Sequence, residues 1–210
     1  MKKIVLATGN AHKAGELRQI LGADAGLVVT MKELGLTLDA EEDGRSFKDN
    51  ALIKARCVYE QLAARKVDDT EYAVLADDSG LEIAALGGAP GIYSARFMGE
   101  NTPYQVKNAA ILEQLRGVTG EARAADFACA MALILPGDRE VVVQGRMDGV
   151  IAEQPAGANG FGYDPIFYLP EKGCTSAELP PEEKNLISHR GNALRAIHPF
   201  LTLWLTDVLA

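Results

Sequence analysis

Two adjacent aspartates, Asp77 and Asp78, end the apolar run Val74 to Ala76 and are followed by Ser79 and Gly80. Carboxylates so near a core are expensive to desolvate unless a cation or a metal meets them. Mg2+ prefers octahedral oxygen ligation with retained waters, so one carboxylate of such a pair can hold metal while the other orients water. An Asx turn closing a hairpin uses the same residues. A second acidic run, Glu41-Glu42-Asp43-Gly44, precedes a helix that carries Asn50 and Lys54 one turn apart on one face. That set can bind Mg2+ and a phosphate oxygen, or it can simply complement the helix dipole.

Thr8-Gly9-Asn10-Ala11-His12-Lys13 lies where a short apolar strand turns into a helix. Free backbone N–H groups at such a turn point at one spot, the dipole favours an anion there, and Lys13 adds a full charge. It lacks the G-x-x-x-x-G-K-[ST] pattern of a Walker A loop, and a capped helix with an exposed lysine is the plainer reading. A further set is split between Phe161-Gly162-Tyr163-Asp164 and Ser188-His189-Arg190. An aromatic in a glycine-rich loop can stack on a flat ring, and His and Arg at a helix start offer donors to carbonyl oxygens, although a lone aromatic is more often core. Gly87-Gly88-Ala89-Pro90-Gly91, too rich in special backbone residues for a mere connector, leads to Arg96.

The elements that must position these residues follow from periodicity and punctuation. A strand is expected over Lys3 to Ala7 and a helix over Lys13 to Leu21, with Leu17, Ile20 and Leu21 inward and Gly22 at its end. Ser46 is placed to cap a helix to about Arg65, with Asp49 as capping-box partner. Val74 to Ala76 reads as a strand, followed by the aspartates and a second apolar run, Leu81 to Ala84. Thr102-Pro103-Tyr104-Gln105 reads as a hydroxyl cap with proline at the first helical position, the helix ending at Gly117. Phe127 to Leu135 alternates, and Pro136-Gly137-Asp138-Arg139 turns it into Glu140 to Val143 as a hairpin. Pro180-Pro181 opens a short helix. Ser188 begins a last one with Leu194, Ile197, Leu201, Leu205 and Leu209 inward, which Pro199 is expected to kink or break. The sum is an α/β protein with a mixed twisted sheet and helices on its faces.

The 210 residues carry 29 acids against 21 bases, a formal charge of −8, and 48% hydrophobic residues. A chain this long hides roughly 70% of its unfolded surface and needs no disulfide or metal staple. The acidic excess excludes a generic nucleic-acid binder, because that affinity comes from Lys and Arg on phosphates. The longest apolar stretch, about Phe127 to Gly137, falls far short of the ~20 residues of a spanning helix. The start MKKIVLATGN is too poor in apolar residues for a signal peptide, so a soluble cytoplasmic protein with no membrane partner is expected. Cys57, Cys129 and Cys174 form no C-x-x-C pair and read as reduced packing thiols.

The pieces LATGNAHKAGEL, EEDGRSFKDNALIKA, LADDSGLEIAALGGAPGIYSARF, PAGANGFGYDPIF and EEKNLISHRGNAL span Leu6 to Leu194 in order. Together they closely resemble the inosine triphosphate pyrophosphatases, the Ham1-like enzymes that hydrolyse ITP, dITP and XTP to monophosphate and pyrophosphate. The resemblance implies a single domain over 1–210 with two lobes, no separable linker and a nucleotide cleft between the lobes. It also implies a homodimer, a requirement for Mg2+ and a nucleoside triphosphate as small-molecule partner. By resemblance Thr8, Gly9, Asn10, Ala11, His12 and Lys13 form the triphosphate loop. Glu42 and Asp78 are the metal carboxylates, Asp78 also being the proton acceptor, and Ser79 touches substrate. Phe161, Gly162, Tyr163, Asp164, Lys184, His189 and Arg190 form the base and sugar side, with Glu41 and Asp77 in supporting places.

Cleaving between the α and β phosphates then becomes a matter of positioning and electrostatics. On this expectation Glu42 and Asp78 would hold Mg2+, which would neutralise phosphate charge, Lys13, Lys54 and the amides after Gly9 would hold pyrophosphate, and Asp78 would activate water. Donors from His189 and Arg190 suit the six-carbonyl of hypoxanthine and xanthine and clash with adenine's amino group. On this reading the protein is acidic overall while its polyphosphate pocket, furnished with Lys13, Lys54, Lys184 and Arg190, is not. A nucleotide sensor that binds without hydrolysing would lose the carboxylates. A pyrophosphatase for modified pyrimidine or methylated nucleotides is separable by a triphosphate panel.

Overall fold

The computed structural model describes residues 1–65 and 71–207. Its sheet has seven strands: β1 (Lys3–Leu6), β2 (Val28–Thr30), β3 (Tyr72–Ile83), β4 (Ala124–Leu135), β5 (Arg139–Ile151), β6 (Phe167–Leu169) and β7 (Cys174–Thr175). They lie in the order β2-β1-β3-β4-β5-β6-β7. β1 pairs in parallel with β2 and β3, and β6 pairs antiparallel with β5 and β7, so the sheet is mixed as expected. Among the described residues five α-helices accompany it: α1 (Ala11–Leu21), α2 (Phe47–Ala64), α3 (Tyr104–Gln114), α4 (Pro181–Ile187) and α5 (His189–Leu205).

The contacts divide the chain into two compact units. The first comprises Met1–Asp78, Cys129–Gly145 and Arg190–Ala210. Its core joins Ile4 and Leu6 of β1, Leu17 and Leu21 of α1, Leu75 of β3, Met131 and Leu133 of β4, and Leu194, Ile197, Leu201 and Trp204 of α5. Burying each such large side chain contributes about 1.5–3 kcal/mol. The second unit comprises Ser79–Ala128 and Arg146–His189. Its core gathers Leu81 and Ile83 of β3, Ile111 and Leu115 near α3, Phe127 of β4, Met147 and Ile151 of β5, and Tyr163, Ile166 and Phe167.

Several local expectations change. β3 is one continuous strand through Asp77-Asp78-Ser79-Gly80 and the apolar run after it, where the expected strand ended at Ala76 and an Asx turn was the alternative. The aspartates stay in the strand because cations from α1, α2 and α5 meet their carboxylates there. Thr102 does not cap α3: its hydroxyl donates to the Met98 carbonyl at 2.7 Å, and the helix starts after Pro103 with no side-chain cap. That helix ends at Gln114, short of Gly117. Ser46 does cap α2, accepting from Asp49 N at 3.1 Å, but the Asp49 carboxylate accepts from the Ser46 hydroxyl instead of completing a capping box. β5 runs on to Ile151, well past Val143. α5 continues through Pro199 to Leu205 without a break, while Leu209 lies outside the described residues. All three cysteines are free thiols, and burial pushes that of Cys129 up to about 12. Among the described residues no helix is long and apolar enough to cross a membrane.

Candidate functional site

The first unit concentrates its buried charges at the meeting of β1, α1, α2, β3 and the start of α5. After β1 the chain turns at Thr8 and Gly9 into α1, whose N-cap Asn10 accepts from the backbone N–H groups of His12 and Lys13 at 2.9 and 3.3 Å. Ala11 and His12 therefore belong to the helix's first turn, not to the loop before it. A Cβ built on Gly9 meets nothing within 4 Å, and Gly9 is not in the left-handed region. Neither the turn nor the packing requires that glycine.

Lys13 reaches back to β3, its Nζ 3.0 Å from Asp77 Oδ2. Arg190, at the start of α5, places Nε and Nη2 each 3.3 Å from the same oxygen and pairs through Nη1 with Glu16 of α1. Asp77 and Arg190 are both almost wholly buried. Burial alone would raise the Asp77 carboxyl, yet the charges of Lys13, Arg190 and Lys54 outweigh it and hold it well below the carboxylate range. Burial likewise works against the Arg190 charge, and Asp77 and Glu16 more than restore it.

Asp78, the next residue, is met from α2. Lys54 Nζ lies 2.9 Å from Asp78 Oδ1 and 3.3 Å from Glu42 Oε2. Asn50, one turn before Lys54, donates from Nδ2 to Asp78 Oδ2 at 3.2 Å and accepts the Gly44 N–H on its own Oδ1 at 2.9 Å. A Cβ on Gly44 would strike Asn50 and Asp49, so glycine is what lets the acidic loop lie against α2 and bring Glu42 to Lys54. Asp78 is nine-tenths buried. Burial raises its pKa, and the Lys54 and Lys13 charges only partly offset this, which leaves it a better proton acceptor than an ordinary aspartate. Burial lowers the Lys54 pKa, and Asp78, Asp77 and Glu42 outweigh that and raise it. Ser79 follows in β3, half-buried.

The first-unit cluster thus sets three cations, Lys13, Lys54 and Arg190, against four carboxylates, Glu16, Glu42, Asp77 and Asp78. Every one of these cations is already paired with acid.

In the second unit the loop Phe161 to Asp164 is built on Asp164. Its Oδ2 accepts the Phe161 N–H at 2.8 Å and Lys184 Nζ of α4 at 2.6 Å, and its Oδ1 accepts the Ser176 hydroxyl at 2.9 Å. The Lys184 ammonium lies 5.4 Å from the centroid of the half-buried Phe161 ring. Gly160 and Gly162 adopt φ of 72° and 71°, and a Cβ on Gly160 would collide with the Asp164 carboxylate. From α3, Asn108 donates to the Gly162 carbonyl at 3.2 Å, and the Tyr104 ring meets Tyr163 edge-on at 5.2 Å. The Tyr163 hydroxyl, whose pKa burial raises, donates to the Ser94 carbonyl. His189 is buried with its ring stacked at 4.8 Å on Phe127. The glycine-rich segment before Arg96 uses φ of 63° and 87° at Gly87 and Gly88, and Arg96 lies over the Tyr93 ring.

Within the first unit the structure brings together Lys13, Glu42, Lys54, Asp78 and Arg190. Within the second it joins Phe161, Gly162, Tyr163, Asp164 and Lys184. Glu41 is exposed. Sequence reasoning passed over Glu16, Asn50 as a clamp, Ser176 and Asn108. Glu16 was within reach, since it lies three residues after Lys13 on one helix. Asn108 carries no local sequence signal at all.

A Ham1 family model matches residues 4–200. Curated relatives include the dITP/XTP pyrophosphatase of Yersinia pseudotuberculosis, 48% identical over 93% of this chain and 95% of its own. That of Bacillus subtilis is 43% identical over 96% and 98%. Among solved structures, a HAM1 protein from Coxiella burnetii superposes with a TM-score of 0.83 at 41% identity, covering 96% of this chain and 99% of its own. The Staphylococcus aureus Ham1 protein gives 0.80 at 38% identity, over 96% and 98%. With nearly the whole chain matched at this level, the protein belongs to the Ham1 family.

Proposed function

We propose that the protein hydrolyses deaminated purine nucleoside triphosphates, ITP, dITP and XTP, to the monophosphate and pyrophosphate, clearing them before incorporation into nucleic acid. Family membership and relatives named dITP/XTP pyrophosphatase support the reaction. The observation that carries the chemistry is the buried Asp78 carboxylate, raised in pKa and held beside Glu42 by Lys54.

Glu42 and Asp78 suit Mg2+: both are hard oxygen donors, and both already share one cation. Mg2+ is commonly held by one or two carboxylates, with the rest of its sphere from water and phosphate. When bound, it supplies charge neutralisation at the phosphate oxygens. Asp78 accepts the proton of the attacking water, help worth about 10²–10⁴-fold. Lys13, Lys54 and the amides after Gly9 hold the departing pyrophosphate. In the second unit Phe161 offers a ring face to the base, with His189 supplying a donor to a six-carbonyl. The working form on this reading is a cytoplasmic homodimer, checked by sedimentation at micromolar concentration.

The test is a kcat/KM panel over ITP, dITP, XTP, GTP and ATP with Mg2+, monitoring pyrophosphate. Selectivity for the first three of about 10⁴-fold over ATP is expected. Comparable values for ATP and ITP overturn the selectivity, and binding without pyrophosphate release overturns the reaction.

A further inference from the structure

Asp78 and Glu42 can take a divalent ion only by rearranging the contacts they already make. Both oxygens of Asp78 are engaged, Oδ1 with the Lys54 ammonium and Oδ2 with the Asn50 amide. Lys54 also reaches Glu42, so one ammonium bridges the two carboxylates. The two partners of Asp78 differ in how readily they can leave. Asn50 is wholly buried on α2, and its other end holds the Gly44 N–H, so moving it would also release the acidic loop. Lys54 carries its ammonium on a flexible four-carbon stem and meets the carboxylates only through that charged tip, although the side chain as a whole is just 6% exposed. A divalent ion within bonding distance of Asp78 Oδ1 would face this ammonium a few ångströms away, where like charges repel strongly. One of the two cations must yield, and the flexible one is Lys54.

We infer that Lys54 is an exchangeable counter-ion: it holds Glu42 and Asp78 together in the substrate-free protein and leaves Asp78 when metal binds. Metal therefore binds weakly until a phosphate chain gives the ammonium a second partner. This rests on the reading of Glu42 and Asp78 as the metal carboxylates. It adds an order to the reaction: Lys54 has two stations, carboxylate first and phosphate afterwards, and metal and nucleotide arrive cooperatively because each favours the second.

Calorimetric titration of substrate-free protein with Mn2+ tests this without turnover. Lys54→Met is expected to bind Mn2+ at least about tenfold more tightly than wild type, since a cation has left the metal's own oxygens. Lys13→Met removes an equal charge that sits on Asp77 instead, and should tighten binding by no more than about threefold through the same law at longer range. Equal effects of the two variants overturn the exchange while leaving the metal site standing. If adding Glu42→Gln to Lys54→Met leaves Mn2+ affinity unchanged, the metal reading itself falls, and the exchange with it. A second measurement reads the wild-type protein, with a conservative variant serving only for assignment, so that a poorly folded Lys54→Met decides nothing. The Nζ resonance of Lys54 in ¹⁵N-labelled protein, assigned by its loss in Lys54→Arg, should shift on adding Mg2+. A resonance unmoved at metal saturation overturns the inference.

Discussion

Gly9 and Asp77 show how differently single residues serve the same cluster. Gly9 has open space around its absent side chain and an ordinary φ, so its small size answers to something other than the protein's own packing. Gly9→Ala should leave stability unchanged or raise it by about 0.4–1 kcal/mol. KM for ITP should rise about tenfold, the equivalent of ~1.4 kcal/mol of lost binding. An unchanged KM would sink the triphosphate-loop assignment. Asp77 instead answers wholly to the protein: one oxygen holds Lys13 from α1 and Arg190 from α5. Asp77→Asn leaves the buried Arg190 and the part-buried Lys13 short of a charge partner, at a cost of about 3–5 kcal/mol near neutral pH. The Asp77 pKa is depressed in the folded state, so its contribution is fully present above the unfolded value of about 3.9 and fades as pH falls through the folded one. Denaturant titrations should therefore find the wild-type advantage constant from about pH 7 to 5 and shrinking by about pH 3. An advantage independent of pH would show that the pairing is not electrostatic.

At the level of elements, the strand-to-helix unit at residues 3–22 could be read nearly directly, because an apolar run and a terminal glycine are local signals, although the Asn10 cap that starts the helix at Ala11 and not Lys13 was passed over. β3 could not. Two aspartates within a strand contradict local propensity, and what reconciles them is Lys13, Lys54 and Arg190, which lie far off in sequence. The same limit hid Asn50 and Asn108, whose partners are loop backbone groups at Gly44 and Gly162. The site was legible as residue types and motif order, while its wiring was not. The Phe161 loop gives an element-scale test. Gly160 is left-handed, and a Cβ there would push into the carboxylate that seats both Phe161 and Lys184. Gly160→Ala should raise KM for ITP more than it lowers kcat, with the six-carbonyl preference reduced. A loss confined to kcat would remove this loop from base recognition.

For the molecule as a whole, the charge of −8 is not relieved at the cluster proposed to meet a polyphosphate. Sequence reasoning expected, in an acidic protein, a polyphosphate pocket that is not acidic once Mg2+ partly neutralises Glu42 and Asp78. Three cations are matched by four carboxylates, so an approaching triphosphate meets acid at long range and no surplus of base at short range. Placed cations in a low-dielectric setting can still hold phosphates, but only if their carboxylate partners are given another counter-charge. A divalent ion on Glu42 and Asp78 would provide that. Free ITP in EDTA should accordingly bind at least about a hundredfold more weakly than the Mg2+ complex, a difference of ~2.7 kcal/mol. The long-range part of the penalty should ease as ionic strength rises from about 0.01 to 0.1 M and the screening length falls from about 30 to 10 Å. Calorimetry with the catalytically impaired Glu42→Gln protein as the control for metal-independent binding would measure it. Equal affinity for free and metal-bound nucleotide would mean that the paired cations are enough by themselves, and that the carboxylates are there for the water and not for a metal.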